Sequence, residues 1–308
     1  MDTPPNKEDS LYLAMAIKKG EYDGLCITNP YVRYTKNVKT YPTITLDFLD
    51  HFISLRALCI IGYYVEDISR FVKYKDSIEL LSLDVSKCKN PELINIFSNL
   101  KDISLHCKNG WNSNSIITPN TEELDCGQFT DIRIFDFKNA VKLFNVQISN
   151  NAKHTEHSNL GSAPNVRVLD FMFMRNLSDF NFISSMSTLL HISFFWVPKL
   201  EAIPDISRLT QLKMISVDTC SRLRDLSAIA HNHSIESLLL LNRIPDVDIL
   251  RPLVDHPSLK YIYASFKTQK LKQQAHAMLG DRLKGNIHDL PTYVIGPDVL
   301  EVEYPQAP

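Results

Sequence analysis

The chain has 308 residues, 44 % hydrophobic and 22 % charged, a composition that folds rather than staying disordered. Lys plus Arg number 33 against 35 for Asp plus Glu, a formal net charge of -2. That balance removes the easy case for nucleic-acid or anionic-membrane binding, and the length is more than one ordinary compact core uses.

The first ten residues are polar, with no apolar run or cleavage signature, and no segment is apolar over the length that crosses a bilayer. Cysteines at 26, 59, 88, 107, 126 and 220 are scattered, with no C-x-x-C pair. Neither a disulfide framework nor a zinc site is expected from that spacing, and a reducing, cytoplasmic location is the simplest expectation.

In chain order, residues 8–20 read as a short helix with Asp9 or Ser10 as N-cap and Gly20 as stop. Leu25 and Ile27 are expected to open an irregular first strand. An L-x-x-L-x-L frame then recurs as Leu55-Leu58-Ile60, Ile78-Leu81-Leu83 and Leu100-Ile103-Leu105. Two degenerate copies follow, Thr121-Leu124-Cys126 and Val141-Phe144-Val146. The frame returns as Val166-Leu169-Phe171, Leu189-Ile192-Phe194, Leu212-Ile215-Val217 and Ile235-Leu238-Leu240. A last copy opens with Leu259 and Ile262 but has Ala264 in third place. Successive copies start 20 to 25 residues apart, and the longest spacing holds a polar stretch, 148–164, expected to be a loop insertion. Residues 270–283 have helical spacing suited to covering the final core edge, and 291–308 are expected to be a loose Pro-rich tail. The expected organisation is an N-terminal cap over 1–43, about ten repeats over 44–266, and a C-terminal cap helix with tail over 267–308.

Each repeat has two parts. The opening alternates as a short strand with one buried face does. The remainder carries an apolar residue about every third position, which suits short helical or 3₁₀ turns on the other side of a core. One such unit cannot bury its own apolar face, but stacked neighbours can. Proline gives an independent check, because it cannot donate to a sheet ladder. Eight-residue strand windows at the ten start positions cover about a quarter of the chain, so about four of the 16 prolines would fall there by chance. None does; Pro198, Pro204, Pro245, Pro252 and Pro257 all lie in the connecting halves.

With these frames the sequence resembles the leucine-rich-repeat family, in its shorter 22- to 23-residue variants, over about residues 44 to 266. It departs from the family where an asparagine normally follows the third strand leucine by three residues: Val197 and Cys220 stand there in two clean repeats. The resemblance implies an α/β solenoid with a curved parallel sheet on a concave face, short helical turns and loops on a convex face, and helical caps. It also implies that the alternate strand residues on the concave face are the usual place for a ligand.

Those outward positions are Asp102, Ser104, His106, Glu123, Asp125, Asn145, Gln147, Asp170, Met172, Phe173, His191, Ser193, Phe195, Trp196, Met214, Ser216, Asp218, Leu239, Leu241, Asn242, Tyr261, Tyr263 and Phe266. The set has five acidic residues, no lysine or arginine, and six aromatic groups. Aromatic anchors beside polar groups are what protein hot spots use, and an acidic surface speeds encounter with a basic partner. The expected partner-binding residues are therefore Asp125, Asp170, Phe173, His191, Phe195, Trp196, Asp218, Tyr261 and Tyr263. The bland alternative is that a large residue at the strand end turns inward to fill the bend, and that the carboxylates only confer solubility.

Other chemistry has weaker support. His154 and His157 form an H-x-x-H in the polar stretch, without a third ligand or a supporting shell, so no metal or cofactor is expected. His231-Asn232-His233 spells a nuclease motif but lies at the turn between two clean repeats. No G-x-x-x-x-G-K occurs, and no base is placed beside Cys59, Cys107 or Cys126. The resemblance implies a non-catalytic protein-interaction scaffold, an adaptor or an immunity-type inhibitor. The alternatives are a metal-dependent hydrolase built on His154 and His157 with Asp125 or Asp170, or a structural scaffold that self-associates through its aromatic cluster.

Overall fold

The computed structural model describes residues 6–20, 22–29, 41–106, 116–127, 135–149, 158–296 and 299–304. The chain divides into two compact units, 1–141 and 142–308. Among the described residues no helix is long and apolar enough to cross a membrane.

Unit 1 opens with helix α1 (Lys7–Lys18). Its N-cap is Asn6 rather than Asp9 or Ser10: Asn6 Oδ1 accepts the Asp9 N–H at 2.9 Å, and Asp9 Oδ2 accepts the Asn6 N–H in return. Ser10, the sequence candidate, is instead buried and donates its hydroxyl to the Asn6 carbonyl at 2.6 Å. Strands β1 (Gly24–Thr28), β2 (Thr43–Ile44), β3 (Ala57–Val65), β4 (Leu80–Asp84), β5 (Asp102–His106) and β6 (Glu123–Gly127) follow. The order is β1-β3-β4-β5-β6, all parallel, with β2 paired to the end of β3. The first strand is regular: it runs in register with β3 from Gly24↔Ala57 to Thr28↔Ile61, and Leu25 and Ile27 are buried.

Unit 2 carries β7 (Asn145–Ser149), β8 (Val168–Met172), β9 (His191–Phe195), β10 (Met214–Asp218), β11 (Ser237–Ile244) and β12 (Tyr261–Phe266), paired in parallel in chain order. The repeat frames become registers: Val146, Leu169, Ile192, Ile215, Leu238 and Ile262 stand side by side in one row, all buried. Short 3₁₀ turns and the four-residue helix α2 (Ser227–Ala230) form the opposite wall, as at Asn181–Ser185 and Val247–Leu253. Between sheet and turns Phe171 stacks on Phe194 at 5.6 Å, and Phe180 meets both edge-on. The degenerate frame at 141 needs one correction. Val141 is 51 % exposed, and the core there is filled by Ala140, Leu143, Phe144, Val146 and Ile148.

Neighbouring repeats are joined on the turn side by side chains that satisfy carbonyls left over where each short turn ends. Asn232 donates to the carbonyls of Ile206 and Leu209 at 2.6 and 3.0 Å. One repeat on, His256 Nε2 donates to Ile229 and Asn232 at 3.1 and 2.9 Å while its Nδ1 accepts the Leu259 N–H at 3.0 Å. That network fixes the neutral Nε2–H tautomer. Arg282 continues the series on the carbonyls of Leu253 and Val254. In unit 1 Tyr74 holds the same place beneath Leu49 and Phe52. The His231-Asn232-His233 letters therefore mark a structural cap at Asn232, which is buried.

Helix α3 (Gln269–Leu279), capped by Thr268, follows the last repeat strand and buries Ala275 and Leu279. Where a loose tail was expected, β13 (Thr292–Ile295) and β14 (Leu300–Glu303) pair as an antiparallel hairpin. The hairpin is fastened to the sheet: Arg167 donates to the carbonyls of Gly296 and Val299 at 2.6 and 3.0 Å. Tyr293 and Ser237 share a hydroxyl hydrogen bond of 3.1 Å, and Tyr304 lies against the Tyr261 ring at 6.1 Å.

Candidate binding face

Alternation along each strand decides which side chains meet solvent. In β8, β9 and β10 the second and fourth residues are buried and the first, third and fifth are half-exposed on the open side of the sheet. Parallel register lines them into rows across unit 2. The first holds Asn145, Val168, His191, Met214, Ser237 and Tyr261. The second holds Gln147, Asp170, Ser193, Ser216, Leu239 and Tyr263. The third runs Ser149, Met172, Phe195 and Asp218.

After each of these strands the chain bends through a left-handed residue at the same place in the repeat: Phe173 (φ 56°), Trp196 (φ 54°) and Thr219 (φ 54°). Bulky and β-branched residues adopt this region only when the surroundings impose it. Here ladder bonds impose it, because the Phe173 N–H donates to the Phe195 carbonyl and the Trp196 N–H to the Asp218 carbonyl, both at 2.9 Å. The next N–H, of Val197, is taken by the Cys220 sulfur at 3.4 Å. Cys220 thus does with its thiol what an asparagine side chain does at this bend, and burial pushes that thiol up to about 11.

The fold is a leucine-rich-repeat solenoid. No family model and no curated protein matches the chain. Among solved structures it is similar to an internalin of Listeria monocytogenes, at 12 % identity over 91 % of this chain and 88 % of that one, with a TM-score of 0.47. It is also similar to a leucine-rich-repeat protein of Leptospira interrogans, at 12 % identity over 79 % and 80 % of the two chains, with a TM-score of 0.36. At that identity neither likeness bears on what this chain binds.

The bend gathers one part of the aromatic set. Phe173 and Phe195 meet edge-to-face at 4.9 Å, and Phe173 lies 5.9 Å from Trp196. Phe173 stays 37 % exposed, and Phe195 and Trp196 are half-buried, so these rings do not turn inward to fill the core. Arg175 lies over the Trp196 ring at 5.1 Å, a cation the strand positions alone do not reveal. Asp218 stands beside Phe195 in the third row and accepts the Thr219 hydroxyl at 2.8 Å.

The other aromatic residues are elsewhere. Tyr261 opens β12, three strands from β9 and so about 14 Å across the sheet. It is engaged by Tyr304 of the hairpin and by Lys284, whose Nζ lies 5.2 Å from its ring centre. Tyr263 follows in the second row, half-buried. The hairpin and its cations were hidden from pattern reading because residues 284–304 carry no repeat frame and the Arg167 contact spans more than a hundred residues.

The five acidic positions are divided between the two units. Asp102, Glu123 and Asp125 belong to unit 1, where Ser104 donates to Asp125 Oδ2 at 3.1 Å. Burial, then the charges of Glu123 and Asp125, pushes the Asp102 carboxyl up to about 6. In unit 2 burial pushes Asp170 up to about 6 against an opposing hydrogen bond from Ser193. Burial also holds His191 down at about 4, and its Nε2 lies 3.0 Å from the Ser216 hydroxyl. At neutral pH His191 is therefore uncharged.

Surface cavities of 490 and 340 Å³ sit on turn segments around Lys199–Pro204 and Arg243–Pro245; none of the nine expected partner-binding residues lines either, though the outward position Asn242 borders the second. Among the described residues no group of three or more His, Cys, Asp or Glu could hold a metal ion. His154 and His157 lie outside the described residues, as does Cys107.

Proposed function

We propose that the chain is a non-catalytic scaffold that binds a basic protein partner on the open face of its sheet, as an adaptor or as an inhibitor that covers the partner's working surface. Phe173, Phe195 and Trp196 are the anchors, and Asp218 supplies the adjacent charge. The observation that carries this reading is the aromatic group itself: Phe173 in ring contact with both Phe195 and Trp196 at the strand ends, two of the three on residues in left-handed backbone, all kept partly exposed. A core-filling role would have buried them, and strain of this kind collects at functional positions. Asp170, His191, Tyr261 and Tyr263 line the same side of the unit-2 sheet, and Asp125 lines the corresponding side in unit 1.

The test is capture from host lysate by wild type beside a Phe195→Ala, Trp196→Ala, Asp218→Ala variant shown to be equally folded by circular dichroism. Loss of a specific partner from the variant supports the reading, with single Trp196→Ala expected to weaken binding by about 30-fold, the scale of a hot-spot anchor. Equal capture by both proteins overturns it. A basic partner would also associate more slowly as salt is added, and a salt-independent association rate would remove the acidic steering.

A further inference from the structure

We propose that Cys26 and Cys59 form a peroxide-sensitive disulfide site that staples the first strand of unit 1 to its neighbour. The two are direct register partners on the parallel strands β1 and β3, and both side chains lie on the open side of the sheet. Neighbouring strands run about 4.8 Å apart, inside the range of about 4.4 to 6.8 Å between Cα atoms that a disulfide spans. The two strands approach still more closely on this same face two residues earlier. A Cβ built on Gly24 would stand 2.5 Å from the Ala57 Cβ and 2.4 Å from the Ala57 carbonyl oxygen, so only glycine is accommodated there. Both cysteines are reduced thiols in this structure, Cys26 exposed and Cys59 half-buried. The thiols sense one another: burial first, then the hydrogen bond and charge of Cys26, push Cys59 up to about 11.

Their environments assign different roles. The exposed Cys26 thiolate attacks a hydroperoxide, breaking the O–O bond, becoming a sulfenic acid and releasing hydroxide. The Cys59 sulfur then attacks the Cys26 sulfur, the S–S bond forms, and the sulfenic oxygen leaves as water with the Cys59 proton. In sum two thiols and one hydrogen peroxide give one disulfide and two waters. The other described cysteines lack such a partner. Cys126 faces Leu105 across its strand pair, and Cys88 and Cys220 lie in bends outside the strands. Among the described residues β1 pairs only with β3, so the staple would secure an edge strand of the unit 1 sheet.

Full-length protein is treated with hydrogen peroxide, alkylated under denaturing conditions and examined by intact mass and peptide mapping. The expected product is lighter by two alkyl groups than untreated protein alkylated in the same way, with the peptides holding Cys26 and Cys59 joined and separable by reductant. Its melting temperature rises by several degrees, because the bridge closes a long loop in the unfolded chain. Cys59→Ser protein should instead accumulate a sulfenic acid on Cys26 that reacts with dimedone, and Cys26→Ser protein should form no bridge at Cys59. Cys26→Ala and Cys59→Ala repeat the comparison if a serine variant is poorly folded. Gain of oxygen atoms on wild type without the lighter species overturns the proposal, as does a bridge that survives Cys26 replacement or joins another cysteine.

Discussion

Asn242 closes both backbone hydrogen bonds of Cys220, one repeat away: its Oδ1 accepts the Cys220 N–H at 2.8 Å, and its Nδ2 donates to the Cys220 carbonyl at 3.2 Å. Cys220 in turn serves Val197, so the bend after the strand is held by a relay in which each repeat satisfies the one before it. Replacing Asn242 by Ala leaves a polar pair in a tight bend without a partner, which costs about 1–3 kcal/mol. Chemical denaturation should show a lowered midpoint with unchanged slope, and an unchanged midpoint would mean that water replaces the amide at no cost.

Why that asparagine escapes a fixed-offset reading is instructive. The family position in this repeat is Arg243, and Asn242 stands one residue earlier, within the stretch where β11 carries extra residues against β12 between Leu240 and Ile244. A bulge shifts side chains without disturbing the apolar frame. The strands, their register and the buried rows were legible because period-2 alternation and a steady repeat report directly on burial. Phe195 was legible as an outward position for the same reason, whereas Phe173 and Trp196, one residue beyond their strands, face out because the left-handed bend interrupts the alternation. Contacts that cross the period were not: Arg175 on Trp196, His256 under Asn232, and the hairpin on Arg167 depend on distances through space that no spacing in the chain encodes.

Thr219 is the least suited of the left-handed residues, being β-branched at φ 54° and exposed. Its hydroxyl donates to Asp218 Oδ1 at 2.8 Å. Thr219→Asn, which keeps a polar side chain and tolerates the conformation, should stabilise unit 2 by about 1 kcal/mol. A melting temperature that falls instead would show that the hydroxyl bond outweighs the strain.

Asp170 and His191 should make opposite contributions in acid. His191 titrates at 6.5 when unfolded and about 4 when folded, so its stabilisation is complete above pH 6.5 and is lost as pH falls from there to about 4. Asp170 titrates at 3.8 unfolded and about 6 folded, so the native state takes up the proton first, and stability is gained as pH falls from about 6 to 3.8. Each effect reaches about 2 kcal/mol once the part of each side chain that meets solvent is discounted, and the two nearly cancel in the wild type. Asp170→Asn should therefore lose stability relative to wild type between pH 7 and 4.5, and His191→Gln should gain it. Parallel pH profiles for the three proteins, measured by urea midpoints, would refute the pairing.

The hairpin lies over the first row of the very face proposed to bind a partner, reaching Ser237 and Tyr261, while the aromatic group at the opposite strand ends stays open. Among the described residues its attachment includes two bonds from Arg167, one between Tyr293 and Ser237, and a ring contact. Burial pushes the Tyr293 hydroxyl up to about 12 against the opposing hydrogen bond with Ser237. Arg167→Ala removes the charged donor to two carbonyls at the hairpin turn, worth about 1.5–3 kcal/mol. Amide exchange in 292–303 should accelerate about tenfold or more, while exchange in β9 and β10 stays as in wild type, because those strands keep their neighbours on both sides. Equal acceleration throughout unit 2 would instead make the hairpin an integral part of the stack, held by the same cooperative unit as the repeats beneath it.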